Sequence, residues 1–185
     1  MLFRSDGNSA FAIQSDIIQN TDTVYTSTSL LSSANENDLR AVGAAPAAIN
    51  DVYLPIPNTL PTRVTALARS IVASASATTQ YDKAMAIQGY LRGLTYDENR
   101  QRPPSRMDWV DYMLFESQRG YCDDFATAMV VMLRTQGIPA RFVQGYVLGD
   151  RDPIRRDYVV RESLAHSWVE VYFDGYGWQI GRAHV

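Results

Sequence analysis

Gly120-Tyr121-Cys122-Asp123-Asp124-Phe125-Ala126-Thr127-Ala128-Met129-Val130-Val131-Met132-Leu133 contains the clearest helix start of this chain, and what lies on either side of it decides the fold. Gly120 permits a tight entry. Asp123 and Asp124 fall in the first turn, where the positive end of the helix dipole favours negative charge, and Gly137 with Pro139 closes the element. Ala126, Met129, Val130 and Leu133 recur at helical spacing and form its inner face. After Pro139 the apolar period falls from about 3.6 to about 2. Strands are expected over Arg141 to Val147, Tyr158 to Val160 and His166 to Phe173, with a solvated hairpin loop over Arg151 to Arg156. In the last strand, alternation sets Val169, Val171 and Phe173 on the core face and His166, Trp168, Glu170 and Tyr172 on the other. Asp174-Gly175-Tyr176-Gly177 then supplies turn chemistry, and Trp178 starts a returning strand.

Upstream of Gly120 the text is helical. Val64, Leu67, Ala68, Ile71 and Val72 follow Pro61 and Thr62 at three- and four-residue steps, and a second helix is expected from Asp82 to Gly93 with Ala84, Ile87, Tyr90 and Leu91 inward. Thr95 to Pro104 reads as an exposed loop. Trp109, Met113 and Leu114 mark a short helix ending near Ser117. Helices come first and an antiparallel sheet follows, which is the order of an α+β fold. Before Leu60 the chain is rich in Ser, Thr, Asn and Ala, with an extended stretch at Thr23 to Thr26. A short helix from Glu36 to Val42 is capped by Asn35, and Tyr53-Leu54-Pro55-Ile56-Pro57 reads as an extended strap. Residues 1–52 are expected to be a linker or the end of a preceding β-rich unit, and 53–179 a domain. Met1 to Ser5 and Ile180 to Val185 resemble translated sequencing adapters, which would leave His166 as the only native histidine.

Composition narrows the chemistry. A chain of 185 residues, 46% hydrophobic and 20% charged, suits one globular domain with a real core. Seventeen Lys and Arg against twenty Asp and Glu give a formal charge of −3, so no overall positive field exists to hold nucleic acid or an anionic membrane surface. The longest apolar run, Ala128 to Leu133, falls far short of the roughly twenty residues of a spanning helix, and no membrane contact is expected of this chain itself. The single cysteine, Cys122, excludes an internal disulfide and any Cys-rich metal site; scattered acids show no calcium-loop spacing, and no metal or cofactor is expected.

Cys122 opens a helix, where the dipole favours a thiolate, and an imidazole brought beside it could take the thiol proton. That imidazole would be His166, provided the sheet folds back over the helix start. Residue patterns alone leave the matter open: a lone cysteine opening an apolar helix is more often an inert buried group, and a lone histidine at a strand start more often a surface or capping group.

The ordered set Gly120 to Ala128, Leu133-Arg134-Thr135-Gln136-Gly137-Ile138-Pro139-Ala140-Arg141, Gly145-Tyr146, His166-Ser167-Trp168-Val169-Glu170-Val171-Tyr172-Phe173 and Gly177-Trp178 closely resembles the transglutaminase-like superfamily, in particular the bacterial type found as an extracytoplasmic domain of larger membrane-anchored proteins. The resemblance implies a papain-like fold, with helices packed on an antiparallel sheet. It implies Cys122 as nucleophile, His166 as base and the Cys122 backbone N–H as an oxyanion donor, with Tyr121 and Trp168 as neighbours on the substrate side. The implied reaction is acyl transfer on a protein or peptide amide through a thioester, resolved by water or by an amine. The family keeps an aspartate just beyond the Gly-Trp pair to orient the histidine; here that region reads Ile180-Gly181-Arg182, with no carboxylate, and Asp174 belongs to the preceding turn. A weakly active or inactive fragment of an active parent is therefore expected, and a binding or scaffold module that has lost its chemistry is the alternative. A papain-type protease shares the Cys-before-His order but not the signature around the nucleophile.

Overall fold

A computed structural model describes residues 32–154 and 158–181, with backbone alone at 180 and 181. The stretch Thr23 to Thr26, the segments Met1 to Ser5 and Ile180 to Val185, and the end of the Arg151 to Arg156 loop fall wholly or partly outside the described residues.

Helix α1 (Glu36–Arg40) starts in a reciprocal capping box: Asn35 Oδ1 accepts from the N–H groups of Asn37 and Asp38, and Asp38 Oδ2 accepts from Asn35 N–H. It ends at Arg40, short of the expected Val42, and buries Leu39 in the core. Helix α2 (Ala47–Tyr53) takes Tyr53 out of the expected extended strap. An alanine-rich run after Pro46 is a good helix former, and the extended reading holds only from Pro55 onward. Tyr53, at the end of α2, meets Trp178 edge-on at 4.6 Å.

Helix α3 (Thr62–Ser74) buries Val64 and Ala68 completely. Helix α4 (Gln80–Arg92) begins at Gln80 rather than Asp82, because Thr79 Oγ1 accepts from Asp82 N–H at 3.1 Å and caps it. Ala84, Ile87 and Leu91 face inward as spaced, Tyr90 is half-buried, and Gln88 is buried as well. The expected loop from Thr95 is corrected in its first residues: β1 (Thr95–Tyr96) pairs in parallel with β2 (Arg119–Gly120), a ladder too short to leave a periodic trace. Between them, α5 (Trp109–Tyr112) runs into a π-helical turn, Met113–Ser117.

Helix α6 (Cys122–Thr135) is the centre of the molecule. Its expected inner face is buried, and so are Phe125, Ala128 and Met132, since α3, α4 and α5 pack around one side and the sheet covers the other. That sheet is antiparallel, ordered β3 (Ala140–Tyr146), β4 (Ala165–Phe173), β5 (Gly177–Gly181). Gly175 and Gly177, at φ 77° and 70°, make the β4–β5 turn that other residues adopt only with strain. The expected strand Tyr158 to Val160 is corrected to one isolated bridge between Arg151 and Tyr158. The reason is steric: the Val159 carbonyl presses on Gly149, where a Cβ would lie 1.8 Å from it, and Val159 N–H donates to the Asp150 carbonyl at 3.2 Å. Helices on an antiparallel sheet give the α+β, papain-like arrangement.

Candidate active site

Alternation along β4 holds. Ser167, Val169, Val171 and Phe173 are buried on the α6 side, and His166, Trp168, Glu170 and Tyr172 lie on the other. The second side is not open, however. Glu170, 1% exposed, is ion-paired to Arg141, its cross-strand partner, at 2.6 to 2.8 Å. The Arg141 guanidinium lies over the Trp178 ring at 4.2 Å, and Trp178 also meets Tyr172. A buried carboxylate is tolerable only with such compensation. Trp168 is half-buried, its ring tip against Gly145 where a Cβ would come within 2.7 Å, and its Nε1 donates to Glu170 at 3.4 Å. Gly145 is the register partner of His166, so glycine at that position makes room for the Trp168 ring opposite the histidine's place on β4.

Cys122 is half-buried at the first position of α6. The next residue ties the helix to the sheet: Asp123 Oδ1 accepts from Ser167 Oγ, Asp123 Oδ2 accepts from Tyr121 Oη, and Gln144 contributes a third hydrogen bond. Gln144 and Ser167 are themselves opposite one another across β3 and β4. Cys122 and His166 are thus the immediate neighbours of the two ends of one hydrogen bond. The Cys122 thiol lies 3.9 Å from Asp123 Oδ1. Tyr96 reaches the same spot from β1, its hydroxyl hydrogen-bonded to both the backbone and the side chain of Cys122, and its ring is stacked on Phe125 with centroids 6.2 Å apart. The pairing of Tyr96 with Gly120 brings it there.

Asp124 faces the opposite way, toward the 97–108 segment. It accepts from Trp109 Nε1 at 2.5 Å, from Tyr121 N–H at 3.0 Å and from Arg100, whose guanidinium is sandwiched between the Trp109 and Tyr121 rings at 4.3 and 4.5 Å. Two consecutive acids expected merely to complement the helix dipole therefore anchor the first turn of α6 to two different walls.

Burial pushes the Asp123 carboxyl up, but hydrogen bonds from Ser167, Tyr121 and Gln144, with the charge of Arg100, outweigh it and hold the group below the usual aspartate range. The same bond acts on its donor: donation to Asp123, then burial, pushes the Tyr121 hydroxyl up to about 12. A raised tyrosine stabilises the fold fully below its unfolded value near ~10, and that contribution disappears as pH rises through about 12. In an absorbance titration one phenol is expected to ionise near 12, and Asp123→Asn should bring it down; a titration unchanged by that substitution would show that Asp123 does not set it.

The carboxylate expected just beyond Gly177-Trp178 does not occur among the described residues there. Gly177 to Gly181 holds no carboxylate. Glu170 is committed to Arg141 and lies four strand residues from His166, about 13 Å along β4. Among the described residues no group of three or more His, Cys, Asp and Glu side chains is placed to hold a metal ion. Sequence patterns missed Tyr96, which sits in an expected loop, and the partners of Asp123 and Asp124; only the pair of acids beside the cysteine was a visible signal.

A family model described as the transglutaminase-like superfamily matches residues 65–181. YebA of Bacillus subtilis is 43% identical over 136 residues, covering 70% of this chain and 18% of that protein. A protein-glutamine gamma-glutamyltransferase of Pseudomonas aeruginosa is 41% identical over 76 residues, covering 41% of this chain and 11% of that protein. Among solved structures, the periplasmic domain of TgpA from Pseudomonas aeruginosa, bound to ethylmercury, matches with a TM-score of 0.63 at 28% identity, over 75% of this chain and 49% of that one. A Cytophaga hutchinsonii structure with a TM-score of 0.51 at 21% identity, over 75% of this chain and 43% of that one, is a likeness of fold alone. The chain spans less than a fifth of these two curated relatives and about half of the TgpA domain.

Proposed function

The chain belongs to the transglutaminase-like superfamily, and from that premise we propose that it is the acyl-transfer domain of a longer extracytoplasmic, membrane-anchored protein, acting on protein or peptide amides. The observation that carries the reading is the Asp123–Ser167 hydrogen bond, which ties the first turn of α6 to the start of β4 with Cys122 and His166 on its flanks. His166 takes the Cys122 proton, and the sulfur attacks the amide carbon. The carbonyl π electrons move to oxygen, and the Cys122 N–H stabilises that oxyanion by exchanging its hydrogen bond to the Tyr96 hydroxyl for one to the new negative oxygen. On collapse the C–N bond breaks, His166 protonates the departing nitrogen, and a thioester remains. Water or an amine then attacks the thioester, giving hydrolysis or a crosslink. The name of the Pseudomonas relative supports a glutamine side chain as acyl donor, and the TgpA likeness supports a site outside the cytoplasm. Among the described residues no helix is long and apolar enough to cross a membrane, so an anchor would come from other parts of the parent. Trp168, walling the His166 side, is the better candidate of the two predicted neighbours for substrate contact, since Tyr121 is engaged by Asp123 and Arg100.

A second reading, a binding module that has lost turnover, is favoured by one feature, the missing carboxylate after Gly177-Trp178. Alkylation by iodoacetamide separates the two. Cys122 is the only thiol, so the signal is unambiguous. At neutral pH His166→Ala is expected to slow alkylation by about tenfold or more, since only the thiolate reacts and the base supplies it. Equal rates in the two proteins would favour the inert module.

A further inference from the structure

We propose that Asp123 is a positioning residue: its carboxylate, shared by Ser167 from β4, Gln144 from β3 and Tyr121 from the helix entry, sets the separation between Cys122 and His166. The inference rests on the acyl-transfer reading and adds to it the group that makes the pair meet.

Its basis is the wiring of one side chain. Asp123 Oδ1 takes Ser167 and Asp123 Oδ2 takes Tyr121, so the two oxygens pull in different directions and leave the carboxylate little freedom. Ser167 is 6% exposed and points at α6 with Val169 and Val171, so the strand cannot slide along the helix without breaking this contact. His166 is the next residue along the strand, and Cys122 is the preceding residue along the helix. Any shift of β4 against α6 is therefore passed directly to the sulfur–imidazole distance. The Cys122 thiol also lies 3.9 Å from Asp123 Oδ1, so one carboxylate touches the helix start, the entry residue and both strands at once. Asp124 differs: its partners are Arg100, Trp109 and the Tyr121 N–H, and none is on the strand that carries His166.

The test is a double-mutant cycle read by iodoacetamide alkylation of Cys122 at neutral pH in the full chain. Ser167→Ala keeps the Asp123 charge and removes the tie to β4. It is expected to slow alkylation about tenfold, the order of effect that loss of alignment produces, and to abolish the further effect of His166→Ala. Gln144→Ala, at an exposed position where folding is not at stake, should give a smaller loss, about threefold, with a weakened His166 dependence. If alkylation in either single variant stays at the parental rate with full sensitivity to His166→Ala, or if Asp123→Asn speeds the reaction as simple removal of a charge would, the positioning role is overturned while the acyl-transfer reading stands. If His166→Ala has no effect in the parental chain, that reading falls and this inference with it.

Discussion

Asp124→Ala is expected to lower the unfolding free energy by about 3–5 kcal/mol, the loss typical when one partner of a buried, hydrogen-bonded ion pair is removed. Asp124 is 4% exposed. Its removal would strand the guanidinium of Arg100 between the Trp109 and Tyr121 rings, and would leave Trp109 Nε1–H and Tyr121 N–H without their acceptor. Space around the group is already committed: a Cβ on Gly120 would come within 2.8 Å of the Asp124 side chain, so Gly120 is glycine because the carboxylate passes there. Urea denaturation should show a lower midpoint with an unchanged slope, which marks lost stability without a change in the surface exposed. A loss below about 1 kcal/mol would mean that the Arg100 pair behaves as an exposed one.

How much of this was legible in the text varies with the range of the interaction. Helix α6 was readable from its first residue to its last turn, because a dipole-compatible start, a 3.6-residue stripe and a Gly-Pro stop are all local. The core face of β4 was readable for the same reason. Glu170 lay on the face opposite the core, as alternation requires, yet it is buried: Arg141 comes from another strand and Trp178 from a third, and no pattern within β4 announces either. Tyr96 is the clearest case of what local patterns cannot carry. Two residues of parallel pairing with Arg119 and Gly120 bring it to the cysteine, and nothing in Thr95-Tyr96-Asp97 distinguishes such a contact from a loop. Helix α2 was missed for a different reason: it lies in a stretch whose Ser, Thr, Asn and Ala content reads as a linker, and only Tyr53 of the expected strap belongs to it.

The ordered motifs that pointed to the family lie on both walls of the candidate site, and this is why they carried more weight than a cysteine and a histidine taken singly. Gly120 is needed for Asp124, Gly145 for Trp168 beside His166, and Arg134 donates to the Ala140 carbonyl and the Pro55 carbonyl, fixing the end of α6 to the start of β3 and to the strap. Each such residue is held by a partner far away in sequence. A chain that keeps them keeps the geometry of the cleft, whether or not it keeps the chemistry.

Chemistry is what a single added carboxylate should reveal. Arg182→Asp is expected to raise turnover of a glutamine-containing peptide, followed by ammonia release, by about a hundredfold and up to ten thousandfold, because loss of the orienting aspartate costs about four powers of ten in triad enzymes. The position follows from the resemblance, which looks for the carboxylate just beyond Gly177-Trp178, and from the direction of β5, whose pairing steps from Phe173 opposite Gly177 back to Val169 opposite Gly181, toward His166. The two acids of β4 and its turn cannot take the role: Glu170 is held by Arg141, and Asp174 sits beyond the far end of β4. Gly181→Asp is the control, since residue 181 opposes Val169, which faces the core; it should yield no gain in rate. The expected pattern is therefore a gain at 182 alone, with iodoacetamide alkylation of Cys122 changed far less than turnover, because a carboxylate that orients the imidazole matters most when the imidazole must carry a proton to the leaving nitrogen. Should neither substitution raise turnover while alkylation still depends on His166, the cysteine and histidine meet but do not form the working part of a triad, and the binding-module reading gains the stronger claim.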